Sequence, residues 1–324
     1  MKLKKLILLA LCCTIVASPA SFGAKKKYSM GSGSVGGMFY LMGGGISTLF
    51  NNKLSDHYTF STESTGGGTA NVSMVQSGDI EVGITMASTA LAGWTGSAQW
   101  TRGVKFNKLR AMVALYPSSM TTYCLQSSGI KKMSDLNGKI VGLGPKGAAM
   151  DTSVRMIFEK LNIKPKQIHN DEYSTTIKAI DDGVIDAAIV FQNAPWPSLL
   201  ELEGTRKIAY IPLSNSERKK IQELYPFYSK SVIPGGVYKG APKDVPTLEE
   251  WNFLICSSQM PEDEVYELTK TIYENNADLM AIHSCAKYAT VENATNVSIP
   301  LHPGAIKYLK EKGIKVPAKL MPPK

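Results

Sequence analysis

"GSGSVGGMFYLMGGG", residues 31–45, places seven glycines and two serines in fifteen positions, directly after a strand-like run that begins at Tyr28. A loop of this composition holds a nucleotide's phosphates, holds some other anion, or only turns a crowded corner. Its first part, "GSGSVG", fits the G-x-G-x-x-G pattern of a dinucleotide-binding turn. That pattern needs an acid at the end of the second strand, about 20 residues on, to hold a ribose. Glu63 stands near that place, but serines and threonines surround it, and a second glycine loop, "STGGGT" (64–69), follows at once. The G-K-[ST] of a phosphate-binding P-loop is missing from "GGGISTLF". The nucleotide reading is set aside, and an anion held on backbone N–H groups remains.

Outward from this loop the chain keeps an α/β rhythm. Met38, Leu41, Met42, Ile46, Leu49 and Phe50 space out as one helix face. "YTFSTES" reads as a strand into the second loop, followed by a helix from about Thr69 to Ser77, a Gly78-Asp79 turn and another strand. A third strand-to-helix loop, "GLGPKGAAM" (142–150), repeats the arrangement. Gln76–Ile80 and Asp181–Ile185 stand in the same helix-turn-strand role, which points to two similar half-structures. Three glycine loops on successive α/β units predict a ligand cleft, because ligands of open α/β sheets sit at strand C-termini. "LRAMVALYP" and "TTYCLQS" read as strands on either side of "PSSM", and residues 225–246, rich in Pro, Gly and Tyr, as irregular chain. The acids that follow Pro261 and the Pro303 to Gly313 stretch mark helices by their ends.

The first 24 residues carry Lys2, Lys4 and Lys5, then an apolar run from Leu6 to about Ala17, then small residues. This is the layout of a cleaved export signal; the run falls short of the about 20 residues a membrane span needs. Cys12 and Cys13 raise a lipid anchor as the competing reading. Cys124, Cys256 and Cys285 remain, too few for a disulfide scaffold, and whether two of them pair stays open. The formal charge of +9 falls to about +6 without the signal's lysines, in scattered positions that make no nucleic-acid surface. His57, His169, His283 and His302 stand apart from one another, and no metal-ligand or nucleophile motif occurs. The sequence therefore calls for no catalytic residues, no metal and no cofactor. Gln192 and Asn193, which end the strand "AAIVFQN", offer donors and acceptors at the expected cleft edge, and Tyr116 offers an aromatic wall.

Six segments together carry a family resemblance: "GSGSVGGMFYLMGGGIS", "STESTGGGTANVSMVQSGDIEVGIT", "LRAMVALYP", "SGIKKMSDLNGKIVGLGPKGA", "LYPFYSKSVIPGGVYKG" and "IPLHPGAIKYLKEKG". In this order the chain resembles the TAXI-type solute receptors, the extracytoplasmic binding subunits of tripartite ATP-independent periplasmic (TRAP) transporters. The resemblance implies an α/β chain with a type II periplasmic-binding-protein fold, two lobes with a cleft between them. Lobe one would take residues 25–117 and 234–324, and lobe two 118–233. A monomeric periplasmic receptor would capture a small organic anion or amino acid, such as glutamate or a dicarboxylate, and pass it to TRAP membrane subunits. By motif, Ser32, Ser34, Gly36 and Gly37 would line the first loop, and Thr65, Gly66 and Gly67 the second. Ser88, Tyr116, Gly144, Pro145 and Gly147 would join them, with Gln192 and Asn193 closing the cleft. Where the family commonly carries a hydroxyl-rich run, this chain has "GPKGAAMDTS", so Ala148 and Met150 stand in place of two donors and Lys146 adds a charge. The orientation of Lys146 stays open. A ligand-presenting subunit for a receptor kinase, or an exported hydrolase, are the alternative readings.

Overall fold

The computed structural model describes residues 25–35, 37–225 and 227–323. The export-signal expectation and Gly36 lie outside the described residues. The first half of the architecture runs β1 (Lys26–Gly31), α1 (Met38–Lys53), β2 (Tyr58–Glu63), α2 (Gly68–Ser77), β3 (Val82–Met86) and α3 (Ala87–Thr95). A long strand β4 (Leu109–Leu125) leads to β5 (Ile140–Leu143), α4 (Ala149–Leu161), β6 (Gln167–Asn170), α5 (Tyr173–Asp181) and β7 (Ala187–Gln192). Then come α6 (Pro197–Thr205), β8 (Ile208–Tyr210), α7 (Asn215–Leu224), β9 (Tyr228–Ile233) and β10 (Val245–Ser257). Helices α8 (Glu262–Glu274), α9 (Asn276–Met280) and α10 (Pro303–Glu311) complete the chain.

The strands order as β2-β1-β3-β10-β4-β7-β5-β6. β1 lies parallel between β2 and β3, and β5 lies parallel between β6 and β7. Each parallel trio is closed by one antiparallel strand from elsewhere in the chain: β10 beside β3, and β4 beside β7. The two halves thus repeat one topology, as the matched pentapeptides predict. Gly78 and Gly183 occupy the same left-handed turn in each half, with φ of 90° and 69°. β3 and β7 are buried along their whole length, as parallel strands covered on both faces must be.

β4 and β10 pair with each other and cross from one half to the other. Two apolar cores flank this crossing. One gathers α1, α8 and α10 around Phe50, Phe253 and Tyr308; the other gathers α4 and α5 around Phe158, Tyr123 and Tyr238. The second core draws from both sides of residue 233, since Val245 and Leu248 of β10 pack in it. Cys124, Cys256 and Cys285 are all free thiols, each buried in one of the cores.

Two sequence expectations change here. Residues 117–120 do not break the chain: β4 is one strand of 17 residues. Pro117 is tolerated because pairing with β7 begins only at Ser119, so one edge of β4 demands no donor there. Residues 225–246 are not wholly irregular, because β9 pairs with β10 from Tyr228 to Ile233. Its interior residues Ser229, Lys230 and Ser231 show no alternation that would betray it.

α10 starts as its sequence dictates, with Pro303 in the first turn and His302 as cap, Nδ1 accepting from the Gly304 N–H at 3.2 Å. The same glycine lets α10 press against α8. A Cβ at Gly304 would overlap the Glu262 carbonyl oxygen and crowd the Tyr266 nitrogen at 2.7 Å. Because both obstacles are backbone, Gly304→Ala is expected to lower unfolding stability by about 2 kcal/mol. Urea denaturation measures this, and an unchanged midpoint would contradict so close a helix contact.

Candidate functional site

Each glycine loop ends in a helix whose N-terminus has no side-chain cap. The capping positions are Gly37 for α1, Gly67 for α2 and Ala148 for α4. The first intrahelical bonds run from Leu41, Asn71 and Thr152 back to these three carbonyls. The N–H groups of the residues between are left without helical partners; α1 and α2 have no acid in the first turn, while α4 has Asp151 there. Gly67, with φ of 86°, takes a conformation that costs an L side chain strain.

The three helix starts meet at one cavity of about 80 Å³. Gly33, Ser34, Gly37, Met38 and Phe39 line it from the first loop and the start of α1, and Gly66, Gly67 and Gly68 from the second loop and the start of α2. Pro145, Ala148, Ala149 and Met150 face them from α4. α2 and α4 come from opposite halves, and they close on each other so tightly that a Cβ on Gly68 would touch the Ala149 Cβ at 3.4 Å. Met86, Ser118, Tyr173, Phe191, Gln192 and Asn252 complete the wall. Among the described residues, no Asp, Glu, Lys, Arg or His lines this cavity.

Of the residues expected at the site, Ser34, Gly37, Gly66, Gly67, Pro145 and Gln192 line the cavity. The others, Gly36 apart, are placed elsewhere, each for a visible reason. Ser32 is fully buried, and its hydroxyl donates to the Glu63 carbonyl at 2.7 Å, stitching the first loop to the second. Thr65 donates to Asn71 Oδ1 at 2.7 Å and accepts from the Gly67 N–H at 3.1 Å. Ser88 is buried with its Oγ 2.8 Å from Ser153 Oγ, and Tyr116 is buried in the first core. Gly144 lies under Met150 and Tyr173, and Asn193 Nδ2 donates to the Pro117 carbonyl at 2.8 Å. Gly147 and Lys146 line a neighbouring groove between the halves, not the cavity. There Asp151, only 4% exposed, is held by Arg155 Nε at 2.8 Å, the Gly147 N–H at 3.0 Å and Asn170 Nδ2 at 3.1 Å. Its carboxylate thus sits in the first turn of α4, on the groove side, where it offsets part of the positive charge of that helix end. Among the later glycines of the opening stretch, Gly43 packs on Ser32 and Gly45 on Ile282, while Gly44 meets nothing.

Asn71 is the positioning residue that sequence reasoning missed. It is fully buried on α2, and its Nδ2 donates to the carbonyls of Gly31, Ser32 and Ile84 at 3.1, 2.7 and 2.8 Å. One amide therefore fixes the end of β1 and the middle of β3 and, through Thr65, the second loop. The signal was an asparagine on the apolar face of "ANVSMV", where a polar residue needs a buried partner. Asn252 was likewise hidden in the apolar run "WNFLIC"; its Nδ2 donates to the Tyr116 carbonyl at 3.0 Å and Ser118 Oγ at 2.8 Å.

A buried carboxyl sits where the two halves join. Glu250 of β10 is fully buried; its Oε1 accepts from the Ser88 N–H at the start of α3, and its side chain reaches toward Tyr228 of β9. Desolvation pushes it up from the usual 4.5 to about 7, against the opposing hydrogen bonds of Ser88 and Tyr228. No helix among the described residues is long and apolar enough to cross a membrane.

Among solved structures, the chain is similar to MatC from Rhodopseudomonas palustris with bound malate, at 13% identity, covering 83% of this chain and 88% of that one, with a TM-score of 0.52. It is also similar to the alkanesulfonate-binding protein SsuA from Xanthomonas axonopodis pv. citri bound to MOPS, at 13% identity, 90% and 92% coverage and a TM-score of 0.47. A putative L-cystine ABC transporter from Listeria monocytogenes matches at 11% identity, 84% and 99% coverage and a TM-score of 0.48. The doubled topology, with each parallel trio closed by a crossing strand, is the type II periplasmic-binding-protein fold that the sequence resemblance implies. The model of the NMT1-like family matches residues 30–313, nearly all of the described chain, and the protein belongs to that family.

Proposed function

We propose that this protein is an extracytoplasmic solute receptor that captures a small organic anion and passes it to a membrane transporter. The observation that carries the reading is the meeting of three uncapped helix N-termini, two from one half and one from the other, on a cavity with no charged side chain among the described residues. Free N–H groups and aligned dipoles there favour a carboxylate. The lobes on this reading are residues 25–117 with 234–324, and 118–233, and they close on the ligand by hinging across β4 and β10. Residues 1–24 would direct export, placing the receptor in the periplasm as a monomer. The TRAP transporters are the proposed recipients, and glutamate and dicarboxylates belong to the ligand set that the TAXI resemblance implies. MatC, with the same fold, was solved with malate bound.

A micromolar affinity corresponds to about 8 kcal/mol, within reach of several charge-assisted hydrogen bonds to a buried carboxylate. Isothermal titration of the purified protein against amino acids, monocarboxylates and dicarboxylates is expected to find at least one micromolar binder. No heat of binding from any carboxylate in the panel would overturn the anion reading.

A further inference from the structure

We propose that the ligand of this cavity is a short-chain carboxylate with an apolar body and no ammonium group, so that oxo or hydroxy acids are bound in preference to the corresponding α-amino acids. The inference rests on the anion-capture reading above and narrows it.

The positive side of the cavity is well supplied. Three sets of free helix-start N–H groups point to it, and Gln192, only 7% exposed, brings a carboxamide with no partner among the described residues. The negative side is empty. An ammonium taken out of water needs a carboxylate or a cage of free carbonyl oxygens, because an unpaired buried charge is among the most costly things a protein can hold. Among the described residues, no Asp or Glu lines the cavity. Two buried carboxylates on neighbouring elements are engaged elsewhere: Asp151 by Arg155, Gly147 and Asn170, and Glu250 by the Ser88 N–H.

Most of the loop carbonyls are taken as well. Those of Gly37, Gly67 and Ala148 accept the first bonds of their helices, and those of Ser34 and Pro145 accept from Gly37 and Ala148. The Ser32 carbonyl accepts from Asn71 and Thr65, and that of Gly33 accepts from Ser64. Starting three helices at the ligand consumes acceptors and leaves donors. What remain are the Gly66 carbonyl and the side-chain oxygens of Ser34, Tyr173, Gln192 and Asn252, neutral groups suited to a hydroxyl or keto oxygen, with Ser118 Oγ already accepting from Asn252.

The rest of the wall is apolar: Met38, Phe39, Met86, Met150 and Phe191. Methionines mould to irregular bodies, and apolar walls favour a hydrocarbon body over a second charged group. Met150 is itself anchored, its sulfur accepting from the Phe191 N–H at 3.3 Å.

The test is isothermal titration of the extensively dialysed, purified protein with matched pairs: L-valine against α-ketoisovalerate, L-leucine against α-ketoisocaproate, and L-glutamate against α-ketoglutarate. Each keto acid that binds is expected to do so at least about tenfold more tightly than its amino acid. α-Ketoisovalerate is expected to bind more tightly than α-ketoglutarate, whose second carboxylate would face the apolar wall. Amino acids that match or exceed their keto partners would overturn this inference while leaving anion capture standing. Silence from every member of every pair would overturn both.

Discussion

Replacing Gly68 by leucine is expected to weaken capture of the tightest-binding acid by about 100-fold or more, a loss of about 3 kcal/mol. Gly68 is the first residue of α2 and lies where the two halves touch. Even a single added carbon would stand 2.9 Å from Thr85 Oγ1 and 3.4 Å from the Ala149 Cβ. Thr85 can rotate its hydroxyl away, but the remaining leucine carbons have only the cavity or the α2–α4 contact to enter. Either course keeps the start of α4 from reaching the ligand, and closure loses the contacts that favour the closed state. Gly44→Ala serves as the control: a Cβ there meets nothing, so binding is expected to be unchanged and the helix slightly stabilised. Isothermal titration of both variants, with thermal melts to confirm folding, checks the claim. Wild-type affinity in Gly68→Leu would show that the halves need not meet there.

Glu250 is expected to destabilise the fold progressively as pH rises from about 4.5 to about 7. The sign follows from its raised folded value. In that window the folded state keeps the proton that the unfolded chain gives up, so raising pH favours unfolding. The full difference amounts to about 3 kcal/mol, present below the window and lost above it. His302 acts in the opposite direction, because burial lowers its folded value from 6.5 to about 4. Between those values the unfolded state binds the extra proton, and stability rises with pH. The wild-type curve therefore contains two slopes that largely offset each other. Glu250→Gln removes one of them, keeps an oxygen for the Ser88 N–H, and is expected to leave stability climbing from pH 4.5 to 6.5. Urea denaturation of both proteins across this range measures the difference, and parallel curves would refute the assignment.

The readability of this chain follows the range of its interactions. The three glycine loops, the turns at Gly78 and Gly183 and the Pro303 helix start are local, governed by backbone conformation within a few residues. They were legible for that reason. The strand β9 was not, because Tyr228–Ile233 is extended only through its pairing with β10. Nor was the unbroken course of β4 past Pro117, which depends on where β7 begins to pair.

The site divides in the same way. Ser32 and Ser34 lie two residues apart in one loop and look equivalent on paper. Ser32 is claimed by the Glu63 carbonyl of a neighbouring strand, while Ser34 reaches the cavity. Ser88 was carried over from the family resemblance and Tyr116 also offered an aromatic wall, but packing against α4 and the first core takes them inward. Asp151 turns to an outer groove, which Lys146 also lines, because Arg155 and Asn170 hold its carboxylate there. The sequence by itself determined the α/β halves and the loops that start their helices, since those depend on neighbours along the chain. Only the tertiary structure decided which side chains face the ligand, because that choice is made by hydrogen bonds and packing between residues far apart in sequence.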